Sequence, residues 1–206
     1  MGRPQRVGQR IGLGGAVITG ALFLAGCSTG TNAVAQGETF EFVSPDGQVE
    51  IHYEEHERKP VADLAGPHIL DPDQTIGLAD YKGEVVILNT WGQWCAPCRT
   101  EVDDLQRLHE EFEPQGATVL GINLRDPNRD KPVDFIRDNG VTYPSIWDPT
   151  NRVVGALRGF PTSIVPATLL LDRQHRVASV YLAEITDYQL RGVVAELVAD
   201  DESATS

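Results

Sequence analysis

Sulfur is scarce in this chain. Its 206 residues include three cysteines, Cys27, Cys95 and Cys98, and a single methionine. Three cysteines cannot staple a small scaffold, so an apolar core must hold the fold. Acidic residues are missing from the first 37 positions, although the chain has 30 of them, and the same stretch carries Arg3, Arg6 and Arg10. From residue 27 onward, fourteen basic residues face thirty acidic ones, a net charge of −16. A body that acidic repels phosphate backbones, which disfavours nucleic-acid binding. Long hydrophobic runs are also missing. The longest, residues 11–26, is Gly-rich and falls short of the roughly 20 residues of a spanning helix. No internal repeat is visible, which speaks against solenoids and propellers. What remains, at 41% hydrophobic and 23% charged residues, is the composition of one soluble globular domain with extensions.

The N-terminus reads as an export signal. Residues 1–10 are polar and basic, and residues 11–26 are apolar, the charged and hydrophobic regions of a secretory signal. The segment ends in Leu24-Ala25-Gly26-Cys27, which resembles the lipobox of bacterial lipoproteins. The resemblance implies cleavage before Cys27 and lipidation of that cysteine. Two alternatives stay open: release at Ala33-Val34-Ala35, which resembles an Ala-x-Ala cleavage site, and an uncleaved signal anchor. All three place residues 37–206 outside the cytoplasm. The division is then a signal peptide at 1–26, a lipidated N-terminus and flexible tether at 27–39, a domain at 40–200 and a disordered tail at 201–206. If Cys27 carries lipid, the only internal disulfide left is Cys95–Cys98.

Along the domain, Phe40–Val43 and Val49–Tyr53 read as a hairpin around Ser44-Pro45-Asp46-Gly47. Residues 57–80, with Pro60, Pro67 and Pro72, read as irregular, with a helical turn at Leu78–Tyr81. The apolar run Val85–Leu88 suits a strand buried on both faces. Cys95 to Phe112 places Val102, Leu105, Leu108 and Phe112 at helical spacing. A strand at 117–123, a helix at 131–138 ended by Asn139-Gly140 and a short strand at 145–147 follow. One or two helical turns at 151–157 lead to a hairpin of 167–171 with 177–182. Thr186 caps a last helix to about Ala199. Alternating strands and helices predict an α/β sandwich, with the final hairpin adding antiparallel edge strands.

The chemistry sits where the buried strand ends and a helix begins, in Trp91-Gly92-Gln93-Trp94-Cys95-Ala96-Pro97-Cys98. Two intervening residues on a first helical turn bring two sulfurs within disulfide reach. Free N–H groups and the positive end of the helix dipole stabilise a thiolate there, and the thiolate is the nucleophile. Cys95, at the edge of the first turn and the more exposed, is expected to attack. Cys98, one turn in, is expected to resolve. Pro97 fits a first turn, where its missing N–H costs little.

Trp94-Cys95-Ala96-Pro97-Cys98 between a buried strand and a helix resembles thioredoxin. The wider pattern over residues 40–200 resembles the TlpA/ResA-like branch of envelope-attached thiol-disulfide oxidoreductases, whose members include reductants for cytochrome c maturation. The resemblance implies a thioredoxin-like three-layer α/β sandwich with an N-terminal β-hairpin and a central αβ insertion at 117–147. It sets Asn89 where thioredoxin has a buried Asp, and Glu101 where the branch has an acidic residue. Val165-Pro166-Ala167-Thr168 matches the loop of the family's cis-proline, so Pro166 falls beside the cysteines. Pro161 is a second candidate, but no apolar strand follows it directly. Asp103 stands where the family has a helix-kinking proline. Glu101 is expected either to relay protons to Cys98 or to favour the helix start as an anion, Trp94 to cover the disulfide, and Trp91 and Trp147 to pack.

These readings imply dithiol–disulfide exchange without a cofactor. The clients are protein disulfides, with apocytochrome c suggested by the family, and a membrane thiol oxidoreductase returns the electrons. A disulfide-forming oxidant on the same fold is the nearest rival. A peroxiredoxin-like peroxidase and a copper chaperone stand further off. Zinc wants four ligands, and the Cys pair has no second pair to join it. His52-Tyr53-Glu54-Glu55-His56 fits an inverted zinc-peptidase signature, but the alternation around it reads as strand rather than helix. His68, His109 and His175 are expected at the surface.

Overall fold

The computed structural model describes residues 39–43 and 47–200. The export segment, Cys27, the tether up to residue 38 and the tail from 201 lie outside the described residues. Among the described residues no helix is long and apolar enough to cross a membrane.

A six-stranded mixed sheet organises the domain. Its strands are β1 (Glu50–His52), β4 (Val85–Trp91), β5 (Ala117–Leu124), β6 (Ser145–Asp148), β7 (Ala167–Leu171) and β8 (Val177–Tyr181), in the order β1-β8-β7-β4-β5-β6. β2 (Ala65–Pro67) and β3 (Thr75–Gly77) form a separate two-stranded hairpin. The helices are α1 (Ala96–Phe112), α2 (Asp130–Asp138) and α3 (Asp187–Ala199). β4, β5 and β6 run parallel, joined by crossovers through α1 and α2, while β7, β8 and β1 add antiparallel neighbours. The fold is the thioredoxin-like α/β arrangement.

β4, β5, β7 and β8 are buried at every position, as continuous apolar strands sheathed on both faces should be. Side-chain alternation sorts them into two cores. Val86, Leu88, Leu120, Ile122, Ile146 and Leu169 face one way, under Phe40, Phe42, Leu64, Ile76, Leu78, Leu157 and Phe160. Val85, Ile87, Val119 and Leu170 face the other way, under Val102, Leu105, Leu108 and Phe112 of α1, Ile136 of α2 and Leu190 and Val194 of α3. All three helices therefore cover one face. The third layer is built from extended segments, the small hairpin and short 3-10 turns at Leu78–Tyr81 and Val154–Ala156.

Three expectations about the elements change. Phe40–Val43 does not pair with Val49–Tyr53; Phe40 N–H donates to Pro60 O and Phe42 N–H to Arg158 O, and only Glu50–His52 joins the sheet, on β8. The hairpin of the N-terminal part is β2–β3, inside the stretch read as irregular, where Pro67 closes a strand. The final hairpin is not at the edge. β7 sits between β8 and β4, in keeping with five consecutive buried residues. The last helix starts as its cap requires: Thr186 Oγ1 accepts from Gln189 N, and Gln189 reaches back to Thr186 N.

Candidate active site

β4 ends at Trp91, and four residues later Cys95 caps α1. Cys95 Sγ accepts the N–H of Cys98 at 3.2 Å, the bond an N-cap side chain makes, and Pro97 occupies the first turn. Cys95 and Cys98 are joined in a disulfide across 5.3 Å between Cα atoms. The Val165–Pro166 peptide bond is cis, while Pro161 is not in a cis bond, and Val165 O lies 3.5 Å from Cys95 Sγ.

The two cysteines are almost equally covered, Cys95 at 4% and Cys98 at 3% exposure. Greater exposure of Cys95 is therefore not what separates their roles. The difference lies in the cap: only the Cys95 sulfur faces an amide N–H of the first turn, where a thiolate is stabilised.

Glu101 stands three residues past Cys98 on the same face of α1. It is 1% exposed, away from the open helix start. Asn89 Nδ2 donates to Oε1 at 2.9 Å, and the N–H of Ile185 donates to Oε2 at 3.0 Å. Asn89 Nδ2 also donates to Thr168 Oγ1 at 3.0 Å, so one amide ties β4, α1 and β7 together. Burial pushes the Glu101 carboxyl up to about 7; the bonds from Ile185 and Asn89 hold it lower than burial alone would, while Glu184 and Asp104 raise it. Near neutral pH this carboxyl, three residues along α1 from Cys98, can both take and give a proton.

Trp94 folds back against the end of β5 rather than standing alone. Its Nε1 donates to Leu124 O at 3.0 Å, and a Cβ at Gly92 would come within 2.5 Å of that nitrogen. The Arg125 guanidinium lies over the ring. Asp126 secures the approach to Cys95: its carboxylate accepts from Gln93 N at 3.1 Å and from Asn123 Nδ2 at 2.9 Å. Trp91 is buried against Phe135, and Trp147 donates from Nε1 to Asp126 O. Asp126 and Arg125 escaped the sequence reading because their partners lie about thirty residues away, a separation no local pattern encodes.

Of the three histidines expected at the surface, His109 is not there, and His68 and His175 are half-buried and hydrogen-bonded. His109 is buried, its Nδ1 accepting from Val119 N and its ring edge-on to Tyr143. Its place on the sheet-facing side of α1 explains this, and burial lowers its pKa. His68 Nδ1 accepts from Leu70 N and Asp71 N, closing a turn, and His175 bonds Tyr81 O. His52 lies on strand β1 against Ser179, not on a helix with His56. Among the described residues no group of three or more metal-ligating side chains assembles.

The model of the AhpC/TSA family matches residues 58–180. The chain belongs to this family, as a thioredoxin-like thiol-disulfide oxidoreductase. Among solved structures, a secreted thiol-disulfide isomerase from Corynebacterium glutamicum is 48% identical, with a TM-score of 0.77, over 80% of this chain and all of the other. A DsbF homologue from Corynebacterium diphtheriae is 49% identical, with a TM-score of 0.73, over 77% of this chain and 99% of its own. The thiol-disulfide oxidoreductase ResA of Geobacillus thermodenitrificans is 31% identical over 116 residues, which span 55% of this chain and 63% of ResA. For an oxidoreductase of this family, exchange with the cysteines of client proteins is the implied chemistry, and the Cys95–Cys98 pair is the one couple in the domain able to perform it.

Proposed function

We propose that the protein reduces disulfides of exported proteins, with Cys95 attacking and Cys98 resolving. The Cys95 thiolate attacks one sulfur of a client disulfide, forming a mixed disulfide and releasing the client's other sulfur as a thiolate that takes up a proton. Cys98, losing its proton, attacks Cys95 Sγ. The Cys95–Cys98 bond forms and the second client thiol leaves, so two electrons pass from the protein to the client. Glu101, one turn from Cys98 with its carboxyl poised near neutrality, accepts that proton. Pro166 and Val165 flank the reacting sulfur where a client strand would lie, and Trp94 walls the other side. A membrane thiol oxidoreductase then restores the dithiol, because the cell exterior lacks the cytosolic thiol pool. Apocytochrome c, with its paired haem-site cysteines, is the client class the ResA-like pattern suggests. Lipidation at Cys27 would hold the domain at the outer face of the membrane; incorporation of labelled fatty acid, lost in Cys27→Ser, tests that.

The observation that carries this reading is the Cys95–Cys98 disulfide at the capped start of α1. Ala96 and Pro97 between the cysteines leave out the histidine that stabilises the thiolate in strong oxidants. The reduction potential should then fall nearer about −270 mV than about −120 mV. Near-half identity to a named secreted isomerase favours a second reading, an oxidant or isomerase on the same fold. Titration against glutathione buffers decides between them: a potential above about −180 mV overturns the reductant and leaves the exchange chemistry standing.

A further inference from the structure

Arg125 follows β5 in a left-handed conformation, φ 55°. A residue with a Cβ adopts that conformation at a cost, and keeps it only where its surroundings impose it. They do so here. On one side Leu124 O accepts from Trp94 Nε1. On the other, Asp126 takes N–H bonds from Gln93 and Asn123 on its carboxylate and from Trp147 on its carbonyl. The turn swings the Arg125 guanidinium to 4.4 Å from the centroid of the Trp94 ring. That indole is 44% exposed and immediately precedes Cys95.

Arg58, Arg107, Arg176 and Arg191 all pair with carboxylates. Among the described residues no carboxylate pairs with Arg125, which is exposed. Its guanidinium thus lies over the Trp94 ring with no carboxylate among the described residues against its N–H fork, which can meet a planar anion. Ala96 and Pro97 between the cysteines, and Ile164 next to Val165, are exposed and uncharged.

We propose that Arg125, stacked on Trp94, reads a carboxylate of the client beside its reacting cysteine, so that the preferred client is a polypeptide disulfide with Asp or Glu next to that cysteine. The proposal rests on the exchange reading and names its substrate class. Chain-wide charge pulls the other way: at −13, the protein as a whole repels an acidic peptide and draws a basic one. Local geometry and overall charge therefore predict opposite orders of reactivity.

Three synthetic peptides with one internal disulfide, differing only in Glu, Gln or Lys beside one cysteine, separate them. Each rate with the reduced full-length protein is divided by that peptide's rate with dithiothreitol, which removes the peptide's own thiol chemistry. The expected order is Glu, Gln, Lys, with about tenfold between the ends at low salt, shrinking as salt rises. Arg125→Gln should bring that ratio to one or below, Arg125→Glu should invert it, and Arg125→Lys should keep part of it. The reduction potential should be the same in all variants, since a disturbed disulfide would shift it. A Lys-first order or equal rates in the wild type, or a ratio that survives Arg125→Gln, overturns the proposal and leaves exchange intact. No exchange with any peptide overturns both.

Discussion

The two faces of the central sheet are built to different rules. Under the hairpin and 3-10 turns, the sheet offers Val86, Leu88, Leu120, Ile122, Leu124, Ile146, Leu169 and Leu171, all apolar and fully buried. Under the helices, the same strands carry Asn89, Thr168, Asn123 and Ser145 among their apolar residues, all buried too. Asn89, Gly121 and Ser145 even stand side by side in register. Several polar atoms on this face go unpaired: Asn89 Oδ1, Trp91 Nε1, Asn123 Oδ1 and Ser145 Oγ have no hydrogen-bond partner among the described residues. Leaving a buried polar group unpaired costs on the order of 1–3 kcal/mol. The polar side chains buried on the first face, such as Thr90 and Asp148, are bonded, Thr90 Oγ1 to Ala167 and the Asp148 carboxylate to the N–H groups of 152–154. The second face accepts the cost of unpaired groups where the strands run toward the disulfide. Because strand side chains alternate, a single set of strands supports both without either intruding on the other.

Five substitutions test that division, from the largest effect to the smallest. Cys95→Ser, on the helix side, should abolish exchange, whereas Cys98→Ser should trap mixed disulfides with clients through Cys95. Equal trapping by the two variants, scored on non-reducing gels, would remove the attacking and resolving roles. Leu120→Ala, on the apolar face, should cost about 2–5 kcal/mol in denaturant unfolding and leave the reduction potential unmoved. A shifted potential would mean that the two faces are coupled.

Glu101 gives the intermediate effect, through pH. Its carboxyl titrates near 4.5 when unfolded and about 7 when folded, so the folded state holds the extra proton between those values. Its contribution to stability is present below pH 4.5 and is lost as pH rises through about 7, a change worth on the order of 3 kcal/mol. Most surface carboxylates slope the other way, so the measurement is wild type minus Glu101→Gln across that window; a flat difference would place the carboxyl outside the buried network. The smallest effect belongs to Ser145→Ala. Removing an unpartnered buried hydroxyl should change stability by less than about 1 kcal/mol, in the stabilising direction. A clear loss in thermal unfolding would show that the hydroxyl has a partner after all.

The sequence showed these faces unevenly. β4, α1, β5 and α3 were readable because period 2 and period 3.6 repeat along them and because Thr186 and Gly140 mark ends locally. Phe40–Val43 misled because its alternation is real but its hydrogen bonds go to Pro60 and Arg158, far along the chain. The small hairpin was hidden by Pro67, tolerated there because β2 pairs on one side only. The disulfide was legible in full from its spacing and flanks. The Asn89–Glu101–Thr168 network and the Asp126 clamp were not, since each joins elements whose nearness exists only once the sheet has formed.

The crosslink itself joins residues three apart on one turn of helix, and no other thiol occurs between residue 28 and the end of the chain. A protein that trades disulfides with others is exposed to its own reaction, since any spare cysteine could be drawn into a misjoined partner during or after export. With Cys27 lipidated, as proposed, the chain would offer its thiols only one internal choice. The domain from residue 40 onward then has a single oxidised isomer to reach, and its own two thiols need no proofreading of their pairing.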